Sequence, residues 1–116
     1  MAQENSKTRL MTETTYYILL SLVNPLHGYA LMKKVEEISE GTVIIGAGTL
    51  YGAFSTLETE QLIEVAKKDG RRKIYQLTKK GERVLADQIN KFAIMVENGQ
   101  KVISNLDRNL MERKEQ

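Results

Sequence analysis

The chain has 116 residues, enough for one ordinary domain and too few for two. Hydrophobic residues make up 41% and charged residues 28%, the balance of a globular protein, and the lack of cysteine excludes disulfides, thiolate metal sites and cysteine nucleophiles. The formal net charge is only +2, but five lysines and arginines and a single aspartate lie between Lys67 and Lys73, a concentration of positive charge that an anionic partner would require.

The first predicted helix covers residues 12–23, and Asn24-Pro25 ends it because the residue before a proline avoids the helical region. Residues 1–10 are polar, and we expect them to be frayed. The longest apolar run lies in this helix and is far shorter than the ~20 residues that span a bilayer. No small-residue cleavage site follows the run, which argues against a signal peptide. We therefore expect a cytoplasmic protein with no membrane partner, an expectation that the absence of cysteine fits.

Two further helices are predicted, one from about Tyr29 to Ser39 and one from about Gly48. Gly41 ends the earlier of the two, and the β-branched run at 42–45 suits a short extended segment. Apolar residues at helical spacing define the buried stripe of the third helix, and its opposite face is small and polar with one aromatic. The buried stripe consists of Leu50, Phe54 and Leu57.

Two strands separated by Asp69-Gly70 are predicted next, each with alternating apolar residues. For these residues to face one core, Ile63 must oppose Leu77, and Lys67 then opposes Lys73. This register leaves an odd number of residues in the loop and disfavours a two-residue Asp-Gly turn.

The last predicted element is a long helix that begins at Thr78, a suitable N-cap. Apolar residues recur at spacings of four and three from Leu85 to Leu110, a heptad repeat that spans about 39 Å as one helix. Nothing else in so short a chain covers this stripe, so a second copy of the helix is the simplest cover. The residues assigned to a homodimer interface are Leu85, Ile89, Phe92, Val96, Ile103, Leu106 and Leu110.

Asn98-Gly99 within this repeat leaves two interpretations open. The pair favours turns and is compatible with a helix break, whereas the heptad phase continues through it as in an unbroken helix. In an unbroken helix two facing copies of Gly99 leave space, which makes a planar aromatic small molecule a candidate ligand. Phe92 can stack on such a ring, and Met95 makes adaptable contacts. The candidate ligand-binding residues are Phe92, Met95, Val96 and Gly99.

This order of elements predicts a mostly α-helical chain with a small β-hairpin. It is a winged helix-turn-helix domain over residues 1–78 with a C-terminal dimerisation helix over residues 79–116. In this fold the third helix enters the major groove and the hairpin tip contacts phosphates. The plain alternatives are a helix cap for Thr49, a core tyrosine for Tyr51 and solvated charge at the hairpin tip. The residues predicted to bind double-stranded operator DNA are Thr49, Tyr51, Ser55, Thr56, Lys67, Lys68, Arg71, Arg72 and Lys73.

Four segments follow one another in a specific order and spacing. They are Gly28-Tyr29-Ala30-Leu31, Gly48-Thr49-Leu50-Tyr51, Leu57-Glu58 and the run from Gly70 to Gly81. Over residues 12–85 the chain resembles the PadR family of transcriptional regulators, and its short helical tail resembles the family's compact subgroup. The resemblance implies a homodimeric repressor that binds operator DNA through the third helix and the wing and pairs through the last helix. Some members release DNA on binding phenolic acids or cationic drugs.

The chain departs from this family pattern at several positions. Gly52 stands where the family often has proline, and Ser55 and Thr56 replace two basic residues. A third helix without cations keeps an alternative function open, a dimeric winged-helix module that binds another protein and not DNA. Gln61 replaces a frequent glycine before the first strand, which indicates an unusual backbone conformation there.

No catalytic or cofactor-binding constellation is visible in the sequence. It lacks a Ser-His-Asp set, a phosphate-cradling glycine loop and paired histidines, and Gly46-Ala47-Gly48 has no surrounding βαβ unit. His27, the single histidine, is expected to be a turn residue, and Lys33 and Lys34 are expected to be surface charges. We expect no enzymatic activity, no cofactor and no metal.

Overall fold

The computed structural model describes the backbone of residues 10–115 and the side chains of residues 10–112. Of residues 1–10, the segment expected to be frayed, all except Leu10 lie outside the described residues. The helices and strands follow the predicted order with one additional short strand. They are α1 (Glu13–Ser21), β1 (Leu26–His27), α2 (Gly28–Ile38), α3 (Ala47–Thr59), β2 (Ile63–Asp69), β3 (Arg72–Leu77) and α4 (Lys79–Glu115).

Helices α1, α2 and α3 pack around one core together with the sheet and the first turns of α4. Thr12 caps α1, its hydroxyl oxygen accepting from the Thr15 N–H at 3.1 Å, and the helix ends at Ser21, two residues earlier than predicted. The predicted core stripe of α3 is confirmed, since its three residues are all buried. The side chains that are completely or almost completely buried are Ile18, Leu19, Leu22, Leu31, Val35, Leu50, Phe54 and Gln88.

The connection between α2 and α3 turns sharply and forms no strand. Glu40 and Gly41 adopt φ values of 54° and 79°, so the chain leaves the helical path at Glu40, one residue before the predicted glycine. The run at 42–45 pairs with no strand, because the Ser39 hydroxyl oxygen accepts from the Val43 N–H at 3.1 Å. Val43 and Ile45 are buried instead and fix the loop to the core. A side chain thus supplies the backbone partner that a neighbouring strand would have supplied.

The sheet has three antiparallel strands in the order β1-β3-β2. The predicted pairing of Ile63 with Leu77 is confirmed, but the pairing of Lys67 with Lys73 is wrong, because Lys67 lies opposite Ile74. The strands shift register at a bulge between Val65 and Lys67. Because the bulge adds one residue to β2, the number of residues left for the loop becomes even. A two-residue turn of Gly70 and Arg71, with Gly70 at φ 63°, therefore closes the hairpin, although the sequence disfavoured so short a turn.

Thr78 links the hairpin to α4 as the predicted cap. Its hydroxyl accepts from the Gly81 N–H at 2.9 Å and donates to the Gln61 carbonyl at 2.7 Å. Gln61 itself has φ 63°, which confirms the unusual backbone conformation expected at this position.

Helix α4 runs without interruption through Gly99, which settles the choice between a break and a continuous helix. Its first half packs on α1, with the rings of Phe92 and Tyr16 edge to face at 4.9 Å. From residue 93 to residue 112 every side chain is exposed, so the second half of the helix projects away from the core. No helix within residues 10–115 is long and apolar enough to cross a membrane.

Candidate nucleic-acid interface

The outer face of α3 carries the predicted DNA-contacting residues of that helix. Thr49, Tyr51, Ser55 and Thr56 are all exposed. The helix starts at Ala47 after an N-cap glycine that has no side chain to contribute, so Thr49 lies within the first turn and is not the cap. The Thr56 hydroxyl donates to the Gly52 carbonyl at 3.3 Å, so this hydroxyl already has a partner within α3.

Tyr51 is 55% exposed and is held by neighbours on two sides. Its ring meets Phe54 edge to face at 5.9 Å, and Phe54 in turn lies 4.2 Å from the ring of Tyr75 on β3. Its hydroxyl lies against the start of α2, where a Cβ on Gly28 would come within 2.8 Å of that oxygen. Tyr51 is therefore a surface tyrosine with a fixed orientation, and its aromatic contacts connect α3 to the hairpin.

The hairpin tip presents the basic cluster as a group of exposed side chains. All five side chains face solvent, and they are Lys67, Lys68, Arg71, Arg72 and Lys73. Lys68 and Lys73 lie opposite each other on the two strands, and Arg72 lies next to the turn. None of the five forms an ion pair with a described residue. Such unpaired cations remain available for phosphate oxygens.

A pocket of about 370 Å³ lies where the start of α2, the outer face of α3 and the hairpin meet. Its walls combine three cations, three tyrosines and one histidine, with no carboxylate among them. The lining residues are His27, Gly28, Tyr29, Tyr51, Arg71, Arg72, Lys73 and Tyr75. The structure thus brings Tyr51 of the third helix and the arginines of the wing, which the sequence suggested as separate DNA contacts, to one place. We refer to it below as the basic pocket.

Four residues that line the basic pocket are not among those predicted to contact DNA, and they are His27, Gly28, Tyr29 and Tyr75. His27 was assigned to a turn and Tyr29 was given no role. His27 caps α2, its Nδ1 accepting from the Ala30 N–H at 3.4 Å. With Nδ1 acting as the acceptor, a neutral imidazole carries its proton on Nε2 and can donate from that atom. The only sequence signal for His27 is its place directly before Gly28-Tyr29, where it can act as the N-cap of α2.

Tyr75 forms the inner wall of the basic pocket and is almost completely buried. Burial raises the pKa of its hydroxyl, and the nearby Glu58 carboxylate and Tyr51 raise it further. The phenol therefore stays protonated well into the alkaline range and offers a hydrogen-bond donor at neutral pH.

The heptad residues of α4 fall into two environments. Leu85 is 5% exposed and belongs to the core of its own chain, so little of its surface remains for a partner. Phe92 is half-buried against Tyr16. The remaining residues assigned to a dimer interface are exposed, and they are Ile89, Val96, Ile103, Leu106 and Leu110. Met95 and Val102, also exposed, widen the same apolar face.

The candidate ligand residues lie together on this face. A Cβ on Gly99 would meet nothing within 4 Å in the single chain, and its neighbours Met95 and Val96 are exposed. Phe92 is the one member of the group with a described aromatic contact. Among the described residues, no group of three or more potential metal ligands occurs.

Comparisons with known proteins identify relatives of this chain by sequence and by fold. The transcriptional regulator YqjI of Escherichia coli is 30% identical over 61 residues, which cover 53% of this chain and 30% of that protein. A PadR family transcriptional regulator from Eggerthella lenta shares the fold with a TM-score of 0.65 and 28% identity, over 78% of this chain and 80% of that chain. A PadR-like transcription factor from Bacteroides fragilis has a TM-score of 0.68 and 23% identity, over 87% and 97% of the two chains.

The chain spans 19% and 30% of the length of two curated relatives, which are longer proteins. The model of the transcriptional regulator PadR-like family matches residues 18–87, more than half of the chain and the whole segment that forms the core and the wing. The chain belongs to the PadR-like family of transcriptional regulators.

Proposed function

We propose that the protein is a homodimeric, sequence-specific repressor that binds operator DNA with α3 and the wing. The observation that carries this proposal is the basic pocket, which joins the exposed face of α3 to the exposed cations of the hairpin. In this arrangement α3 enters the major groove, and the wing arginines neutralise phosphates beside it. Residues 1–78 then form the DNA-binding unit and residues 79–116 the dimerisation helix, acting in the cytoplasm where the operator is located.

A mobility-shift titration with the DNA upstream of the protein's own gene tests this proposal. We expect retardation at nanomolar protein, with specific binding at least about 1,000-fold tighter than binding to random DNA of equal length. If the protein binds neither the upstream DNA nor the random DNA, it would instead be a dimeric winged-helix module that binds another protein. The lack of lysine and arginine in α3 favours this alternative.

The proposal also includes release by a planar aromatic effector bound between two copies of α4 near Phe92, Met95, Val96 and Gly99. Facing Gly99 residues would leave space without loss of the helix. Adding a panel of planar aromatic compounds to the retarded complex should release DNA from the wild type. Gly99→Leu should fill the space and keep DNA bound in the presence of the same compounds. If no compound in the panel binds by calorimetry, control by protein concentration alone replaces this part of the proposal.

A further inference from the structure

Two neighbouring lysines on α2 have different surroundings. The Lys33 Nζ lies 5.2 Å from the centre of the Tyr29 ring, a cation–π geometry. The Lys34 Nζ lies 3.8 Å from a carboxylate oxygen of Glu37. Within the described residues Lys33 has no carboxylate at ion-pair distance, and its ammonium lies instead over the Tyr29 ring.

Tyr29 connects Lys33 to the basic pocket. Its side chain is 63% exposed and lines the pocket with Tyr51 and the wing cations. The Lys33 ammonium lies over the Tyr29 ring. The positive surface of the wing therefore continues across the start of α2 for about one helical turn. It stops there, because Glu36 and Glu37 follow on the next turn.

The chemistry of the pocket favours an oxyanion. Arg71, Arg72 and Lys73 supply charged donors, the tyrosine hydroxyls supply neutral ones, and His27 can donate from Nε2. The positive end of the α2 dipole lies at the same place, since Gly28 and Tyr29 begin that helix. An apolar or cationic ligand would leave these donors unsatisfied.

We propose that the basic pocket binds one backbone phosphate of DNA, and that Lys33, positioned by Tyr29, contacts a neighbouring phosphate. This inference rests on the proposed function and extends it, because it adds α2 to a footprint otherwise made by α3 and the wing. It assigns His27, Tyr29 and Lys33 to DNA binding and leaves Lys34 outside the footprint.

The two lysines provide a matched pair for the test. The affinity of Lys33→Ala and Lys34→Ala for operator DNA is measured as a function of salt concentration, with Arg71→Ala/Arg72→Ala as a reference. We expect Lys33→Ala to reduce the magnitude of the slope of log affinity against log salt by roughly 0.9, the value for one lost phosphate contact. Lys34→Ala should leave the slope at the wild-type value. Circular dichroism spectra establish that all variants are folded.

The single histidine supplies an independent readout. His27 gives one set of imidazole proton signals, which we expect to shift when a short operator duplex is added and to shift less when Arg72→Ala is used. An unchanged slope for Lys33→Ala, with a reduced slope for the arginine variant, would overturn the inference and leave the proposed function intact. Unchanged imidazole signals at saturating DNA would overturn the pocket assignment, and a wild-type protein that binds no DNA would overturn both proposals.

Discussion

Among the glycines of the chain, Gly81 lies closest to another backbone segment. A Cβ there would collide with the carbonyl oxygen of Leu62, a backbone atom that cannot rotate away. The same carbonyl accepts from the Thr78 N–H at 3.0 Å, and Thr78 in turn caps α4 at Gly81. One glycine therefore permits the hairpin, the cap and the long helix to meet.

Gly81→Ala is expected to lower the free energy of unfolding by about 1–3 kcal/mol, because the backbone must shift to admit the methyl group. Gly52→Ala, at an exposed position of α3 with nothing within 4 Å of the added Cβ, should instead raise it by about 0.5–1 kcal/mol. Urea denaturation at one fixed protein concentration measures both. Equal stability of the two variants would show that the contact at Leu62 is relaxed in solution.

The residues of the candidate site differ in how far the sequence could reveal them. The wing cations are adjacent in sequence, so their charge is visible without a structure. His27 and Tyr29 are separated from the wing by the whole of α3 and β2. Their place in the basic pocket depends on how α2 packs against the sheet, and single residues with no charge give no local signal of such a contact.

Periodic patterns of apolar residues predicted the helices and strands that are long enough to show such a pattern. Alternation gave the pairing of Ile63 with Leu77, and helical spacing gave the core face of α3. Strand β1 has two residues and therefore no pattern, and it exists because Leu26 and His27 pair with β3. The bulge at Ala66 left one trace in the sequence, the odd number of residues between the paired positions, but an odd number is compatible with a longer loop as well as with a bulge.

Helix α3 is expected to supply sequence discrimination independently of the wing. The Ser55 side chain has no hydrogen-bond partner in the described part of the chain and can reach a base edge. Ser55→Ala should reduce discrimination between operator variants by about 0.5–1.5 kcal/mol while leaving the salt dependence unchanged. Ser104→Ala, at an exposed serine of α4, is the control. Competition titrations with single-base operator variants make the comparison, and an unaltered preference would mean that another face of α3 reads the bases.

The projecting half of α4 dominates the shape of the chain. The radius of gyration is 18.7 Å, against about 13 Å for a compact chain of this length. The longest dimension is 71 Å. An apolar face on an unsupported helix of this length is costly in water, which is why we propose a second copy as its cover.

Two isoleucines on α4 test this cover. Ile103 and Ile94 are 57% and 60% exposed, and nine residues of helix place them on opposite faces. Ile103→Lys should raise the dimer dissociation constant on the order of 100-fold, because an unpaired charge enters a dry interface once from each copy. Ile94→Lys should remain dimeric. Light scattering over a concentration series measures both masses, and a stable Ile103→Lys dimer would place the interface elsewhere.

The position of β2 at the edge of the sheet has a consequence for the protein at high concentration. Within residues 10–115 no strand pairs with the outer side of β2, and the N–H and C=O groups of such an edge invite another chain to add a strand. Lys67 and Lys68, next to the bulge, are the kind of feature that prevents such additions. The same lysines that we assign to phosphate contact would thus also keep the wings of separate molecules from joining into fibrils. Neutralising them should promote aggregation, whereas Lys→Arg substitutions should not.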